Sequence, residues 1–125
     1  WLTALPGSSA FFRGAVVAYH NDIKHSQLEV PASLLEREGA VSEACARAMA
    51  EGAARRLQSP LAISLTGIAG PDGGTPDKPV GTVFVATACA GKTVARRFLL
   101  HGDRDEVRER AANQACLMGL AALDG

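Results

Sequence analysis

The chain has 125 residues, and its 13 basic and 13 acidic side chains leave no formal net charge. That length suits one domain whose core needs no disulfide or metal staple. The charge balance offers no basic surface for nucleic acid and no Lys/Arg run for a membrane, and no apolar stretch reaches transmembrane length or reads as a signal peptide.

Trp1 to Leu5 reads as the end of a helix closed by Pro6-Gly7, and Ser8-Ser9 as the cap of a short turn through Arg13. Residues 14–20 (GAVVAYH) form a valine-rich apolar run of strand length. Asn21 reads as the N-cap of a short helix through Leu28, and Pro31 as the first residue of another that Gly39 stops. Ser42 caps a helix to about Gln58 whose apolar face is Ala46, Met49, Ala50, Ala53 and Leu57. Residues 61–66 (LAISLT) read as a short buried strand, followed by a loop dense in Gly and Pro through Pro79. Residues 80–89 and 93–100, separated by Ala90-Gly91-Lys92, read as an antiparallel hairpin. Asp103 caps a last helix to about Leu123. Strands separated by helices predict a three-layer α/β/α domain with a mixed, mostly parallel sheet, in which 14–20 and 61–66 run parallel and the hairpin adds one antiparallel strand.

Cys45, Cys89 and Cys116 are odd in number, form no CxxC pair and sit in apolar runs. They read as reduced, small hydrophobic side chains in a cytosolic compartment. His20, His25 and His101 lack metal-ligand spacing, and Asp72 and Asp77 are read as turn formers, so no metal is expected. Arg104 and Arg108 lie one helical turn apart behind Asp103, an arrangement that serves a phosphate or an ordinary salt-bridged helix start equally well. Arg96 and Arg97 read as solvent-facing or interfacial.

The segment Thr66-Gly67-Ile68-Ala69-Gly70-Pro71-Asp72-Gly73-Gly74 follows directly on a buried strand. Loops at the carboxyl ends of strands are the usual ligand sites of α/β sheets, and glycines let main-chain N–H groups converge on an anion. The same glycines serve a plain surface turn, and the absence of Gly-Lys-Ser/Thr excludes a P-loop. Lys24, taken alone, reads as a solvated helix lysine.

That Gly-rich block, continued by Thr75-Pro76 and Lys78-Pro79-Val80-Gly81-Thr82-Val83, resembles the signature of the CinA C-terminal family of competence/damage-inducible proteins. Gly7-Ser8-Ser9-Ala10, Val17-Ala18-Tyr19 with Asn21 and Lys24, Gly39 to Glu43, and Gly102-Asp103-Arg104 stand in the family's order. The resemblance covers essentially the whole chain. It implies an amidohydrolase that converts nicotinamide mononucleotide to nicotinic acid mononucleotide and ammonia, with no cofactor, acting as a cytoplasmic homodimer in NAD recycling. A non-catalytic nucleotide- or partner-binding module of the same fold is the alternative. The resemblance implies a serine nucleophile with Lys24 as general base, Tyr19 and Asn21 as orienting residues, and Thr66, Gly67, Ile68, Ala69, Gly70 and Arg104 as substrate-binding residues. A lysine base must be neutral to accept a proton, and burial or neighbouring positive charge favours that form. The family's Glu-Ser-Cys-Thr-Gly-Gly type motif does not occur in these 125 residues; Ser8, Ser9 and Ser42 match other family serines. The expectation is therefore an N-terminally incomplete single domain. The serine, a helix and a central strand between 14–20 and 61–66 would precede Trp1, and without that strand an open groove should lie between those two segments.

Overall fold

The computed structural model describes residues 1–125. Its regular elements are a 3₁₀ turn at Ser8–Ala10, then α1 (Asn21–Leu28), α2 (Ala32–Glu38), α3 (Glu43–Leu57), β1 (Leu61–Gly67), β2 (Thr82–Cys89), β3 (Lys92–Leu99) and α4 (Arg104–Asp124). The domain has the three expected layers. Val83 and Val85 of β2 pack with Val107, Ala111, Ala115 and Met118 of α4 on one face of the sheet. Phe84, Ala86 and Ala88 pack with Ala46 and Ala50 of α3 on the other. Successive β2 side chains point to opposite faces, so a strand covered on both sides is buried along almost its whole length. Beyond α3 lies a second apolar layer in which Leu28, Val30, Cys45 and Met49 enclose Val16 and Ala18.

The helix starts follow from their caps. The Ser42 hydroxyl accepts the Cys45 N–H at 3.1 Å, and Asp103 and Glu106 form a reciprocal capping box at α4. Helix α1 starts one residue earlier than the sequence suggested, because the His20 ring, not Asn21, accepts the Asp22 N–H.

Three features differ from expectation. Trp1 to Leu5 form turns joined by one Ala4-to-Trp1 bond rather than the end of a helix; five residues are too few to offset helix nucleation. Residues 14–20 alternate between half-buried Gly14, Val16, Ala18 and exposed Ala15, Val17, Tyr19, the period of a strand, yet they join no ladder. Both ladders that form, β1–β2 and β2–β3, are antiparallel, in place of a mostly parallel sheet. No helix intervenes between Gly67 and Thr82, so the chain returns at the end of β1 where it left.

Residues 14–20 nonetheless run in the direction of β1. At their start the Arg13 Nε donates to the Leu57 carbonyl at 2.6 Å, just ahead of β1. At their end Tyr19 reaches, through Arg104, the loop that follows β1. The β1 edge away from β2 carries no partner. Its sequence LAISLTG has no charge, whereas the opposite edge, β3, carries Lys92, Arg96 and Arg97. Charged side chains protect exposed edges from stray pairing, so β1 has the composition of an interior strand.

Candidate active site

The loop from Ile68 to Gly81 is built around Val80. A Cβ on Gly70 would meet the Val80 side chain at 2.5 Å, and one on Gly74 would meet the Val80 nitrogen at 2.7 Å. Gly70 also has φ +86°, a left-handed backbone that favours glycine. The neck of the loop is closed by Ile68 N–H to Thr82 and Gly81 N–H to Ile68. The N–H groups of Ala69 and Gly70 donate to no main-chain acceptor, although Ala69 is half-buried and Gly70 buried. Main-chain N–H groups left without a protein acceptor beside a pocket are suited to receive an anionic or polarised oxygen.

Lys24 is 6% exposed, the most deeply buried charged side chain of the protein. Its Nζ donates to the Ala18 carbonyl at 2.7 Å and forms no ion pair with any carboxylate. It faces Cys45: burial pushes that thiol above its usual range, and the nearby Lys24 charge pulls it partly back. A long stem inside an apolar layer with its amine on a main-chain carbonyl is the opposite of a solvated lysine. The bond to Ala18 places the amine next to Tyr19 in the chain.

Arg104, the first residue of α4, links two of the expected site elements. One of its terminal nitrogens donates to the Gly70 carbonyl at 2.8 Å and the other to the Tyr19 hydroxyl at 3.3 Å. Tyr19 is 84% exposed, so this bond is what holds its ring toward the loop. Asn21 lies exposed in the first turn of α1. Thr66 is buried, and its hydroxyl turns away from the loop to donate to the Ala40 carbonyl at 2.7 Å. Gly67 is exposed, and Ile68 is half-buried.

An open pocket of about 280 Å³ lies where β1 meets the loop and the first turns of α4, with Leu65, Thr66, Gly67, Ala69, Val107 and Arg108 among its lining. A larger, more polar hollow of about 470 Å³ borders Cys89 and Lys92. It lies at the other end of the sheet, since Cys89 pairs with Leu61 while Val83 pairs with Gly67. The smaller pocket therefore shares the end of the domain with Tyr19, Arg104 and the glycine loop.

Sequence reasoning missed two cationic tethers of this loop. Lys78 Nζ donates to the Glu38 carbonyl at 3.2 Å. Arg97, read as solvent-facing or interfacial, donates to the Asp77 carbonyl at 2.6 Å and lies 5.7 Å from the Phe84 ring centroid. The outward position of Arg97 on β3 was readable from strand alternation; its carbonyl partner twenty residues earlier was not.

The profile of the CinA C-terminal domain matches residues 1–123. The chain is 55% identical over 114 residues to a CinA-like protein of Gemmatimonas aurantiaca, covering 91% of this chain and 27% of that protein. It is 54% identical over 107 residues to a CinA-like protein of Citrifermentans bemidjiense, covering 86% and 26%. The chain thus spans about a quarter of the length of these curated relatives. Among solved structures it is similar to the competence/damage inducible protein CihA of Agrobacterium tumefaciens, with TM-score 0.93, 39% identity, and coverage of 99% of this chain and 76% of that one. A CinA superfamily protein of Escherichia coli gives TM-score 0.90 at 34% identity, covering 98% and 70%.

Proposed function

We propose, for a chain that belongs to the CinA C-terminal domain family, that it forms the lysine-bearing part of a cytoplasmic amidohydrolase acting on nicotinamide mononucleotide. The observation that carries this reading is Lys24: a buried amine with no carboxylate partner, bonded to the Ala18 carbonyl at 2.7 Å. A structural lysine buried to this degree ordinarily has an acidic partner. A base that must cycle between charged and neutral forms is better served by a neutral carbonyl.

In the proposed reaction a serine supplied by residues ahead of Trp1 attacks the carboxamide carbon. Lys24 accepts the serine proton and returns it to the departing nitrogen, which leaves as ammonia. Water then hydrolyses the acyl-enzyme to nicotinic acid mononucleotide. The free Ala69 and Gly70 N–H groups are suited to the tetrahedral oxyanion. In this reading Tyr19 and Asn21 orient the lysine or the pyridine ring, and Arg104 and the loop bind the substrate. The active assembly we propose is a homodimer.

The test is ammonia release from nicotinamide mononucleotide by the protein expressed from its gene with whatever residues the gene encodes before Trp1. Turnover at enzymatic rates supports the reading. Calorimetric binding of the nucleotide without turnover would instead establish the non-catalytic binding module.

A further inference from the structure

Three successive carbonyls in the link between α2 and α3 each accept a side-chain donor. The Glu38 carbonyl takes Lys78 Nζ at 3.2 Å, the Gly39 carbonyl takes the Ser42 hydroxyl at 2.9 Å, and the Ala40 carbonyl takes the Thr66 hydroxyl at 2.7 Å. Carbonyls at the end of a helix have no partner within it and need one from elsewhere. Two of these partners bracket the glycine-rich loop: Thr66 lies in β1 just ahead of it, and Lys78 within it where the chain returns toward β2. Lys78 is further fixed by its own turn, its N–H donating to the Thr75 hydroxyl and its carbonyl accepting the Thr75 N–H.

On its other side the link continues through α2 into α1. The α1–α2 corner is stiff: the Val30 N–H donates to the Lys24 carbonyl at 3.1 Å, the His25 ring bonds the Val30 carbonyl at 2.8 Å, and Val30 is fully buried. The stretch Glu38 to Ala40 therefore joins the helix that carries Lys24 to the end of β1 and to the returning limb of the loop. We propose that this link is a rigid junction setting the position of Lys24 against the loop, and that Lys78 and Thr66 are positioning residues that fix it. Neither need touch substrate; they act through carbonyls 38 and 40. The proposal rests on reading Lys24 and the loop as two walls of one site, and it adds the element that holds the walls in register.

The experiment uses the protein expressed from its gene and reads no turnover, so it stands apart from the amidohydrolase test. Isotope-labelled lysine gives a side-chain signal for Lys24, assigned by its loss in Lys24→Met; Lys78 and Lys92 are the other lysines of these residues. The substitutions are Thr66→Val and Lys78→Met, with Thr66→Ser and Lys78→Arg as conservative rescues and Lys92→Met as control. Each single loss should raise amide exchange over 21–28 and over 68–78 together, by roughly five- to tenfold for one missing hydrogen bond, and should move the Lys24 side-chain resonance. The rescue variants should restore both readouts and Lys92→Met should change neither. Faster exchange confined to the neighbours of the substituted residue, with the Lys24 resonance and α1 protection unchanged, overturns the proposal. The same loosening in Lys92→Met would overturn it too. Lys78 is partly exposed, so Lys78→Met decides the matter even if Thr66→Val does not fold.

Discussion

Substituting Gly52 with alanine tests how tightly α1 is seated on α3. In an ordinary helix interior this change stabilises by about 1 kcal/mol, because glycine has the greater freedom to lose. Here a Cβ at residue 52 would sit 2.7 Å from the Leu28 carbonyl carbon, 3.2 Å from its Cα, and closer still to the carbonyl oxygen. Carbon atoms in contact settle near 3.5–4.0 Å, and the closer oxygen is the limiting contact, so the two helices must part by more than about 1 Å. The obstacle is main chain at the end of α1 and has no rotamer by which to yield. Overpacking of this kind costs about 1–3 kcal/mol, and a rigid backbone contact belongs at the top of that range. After the propensity gain is subtracted, a net loss of about 1–2 kcal/mol remains. For a domain of this size that lowers Tm by roughly 4–8 °C. Circular-dichroism melts of the two chains measure it, and the displacement of α1 should also weaken the Lys24–Ala18 bond. A Gly52→Ala chain melting at or above the parent temperature would refute the close-packing argument.

Arg104→Lys keeps the charge, but one amine cannot hold both the Gly70 carbonyl and the Tyr19 hydroxyl; exchange of the 69–74 amides should quicken roughly five- to tenfold, and unchanged protection would show that Arg104 does not tether the loop. Asp103→Ala removes the capping box of α4 and should cost about 1–2 kcal/mol, whereas Asp105→Ala, which breaks only an exposed pair with Arg108, should stay within about 0.5 kcal/mol in the same urea titration. Equal effects of the two would contradict the cap assignment. Burial raises the Cys45 thiol, so the folded state keeps its proton where the unfolded chain has lost it. The stability that this preserves is intact below the unfolded thiol's value of 9.0 and is lost as pH climbs through it toward the folded value. Melts between about pH 8 and 10.5 should fall more steeply for the parent than for Cys45→Ala, and parallel slopes would remove Cys45 from the alkaline limb.

Helices α3 and α4, strand β1 and the β2–β3 hairpin were legible because each carries a local signal: Ser42 and Asp103 as caps, apolar spacing of three and four along α3, and Ala90-Gly91 between two apolar runs. Strand pairing was less legible, since the apolar run at 14–20 reports a buried, period-two environment and not a hydrogen-bonded neighbour. The antiparallel β1–β2 ladder depends on how a loop of Gly and Pro folds around Val80, a tertiary event that no short window reveals. The same limit governs the site. The loop could be named from its glycines and Lys24 only through the family resemblance, while the Arg104 bridge spans 85 residues to Tyr19 and the Thr66–Ala40 bond 26. Sequence placed Thr66 among substrate contacts; its hydroxyl faces the α2–α3 link because strand alternation turns residues 62, 64 and 66 toward α3.

The central claim is that Lys24 is a general base. The direct measurement is kcat for nicotinamide mononucleotide deamidation by the protein expressed from its gene, compared with Lys24→Ala and Lys24→Arg, each verified as folded by circular dichroism. Both substitutions should lower kcat on the order of 10⁴-fold or more, since alanine has no basic atom and arginine does not give up its proton near neutral pH. Turnover within about tenfold of the parent in either folded variant would contradict the account.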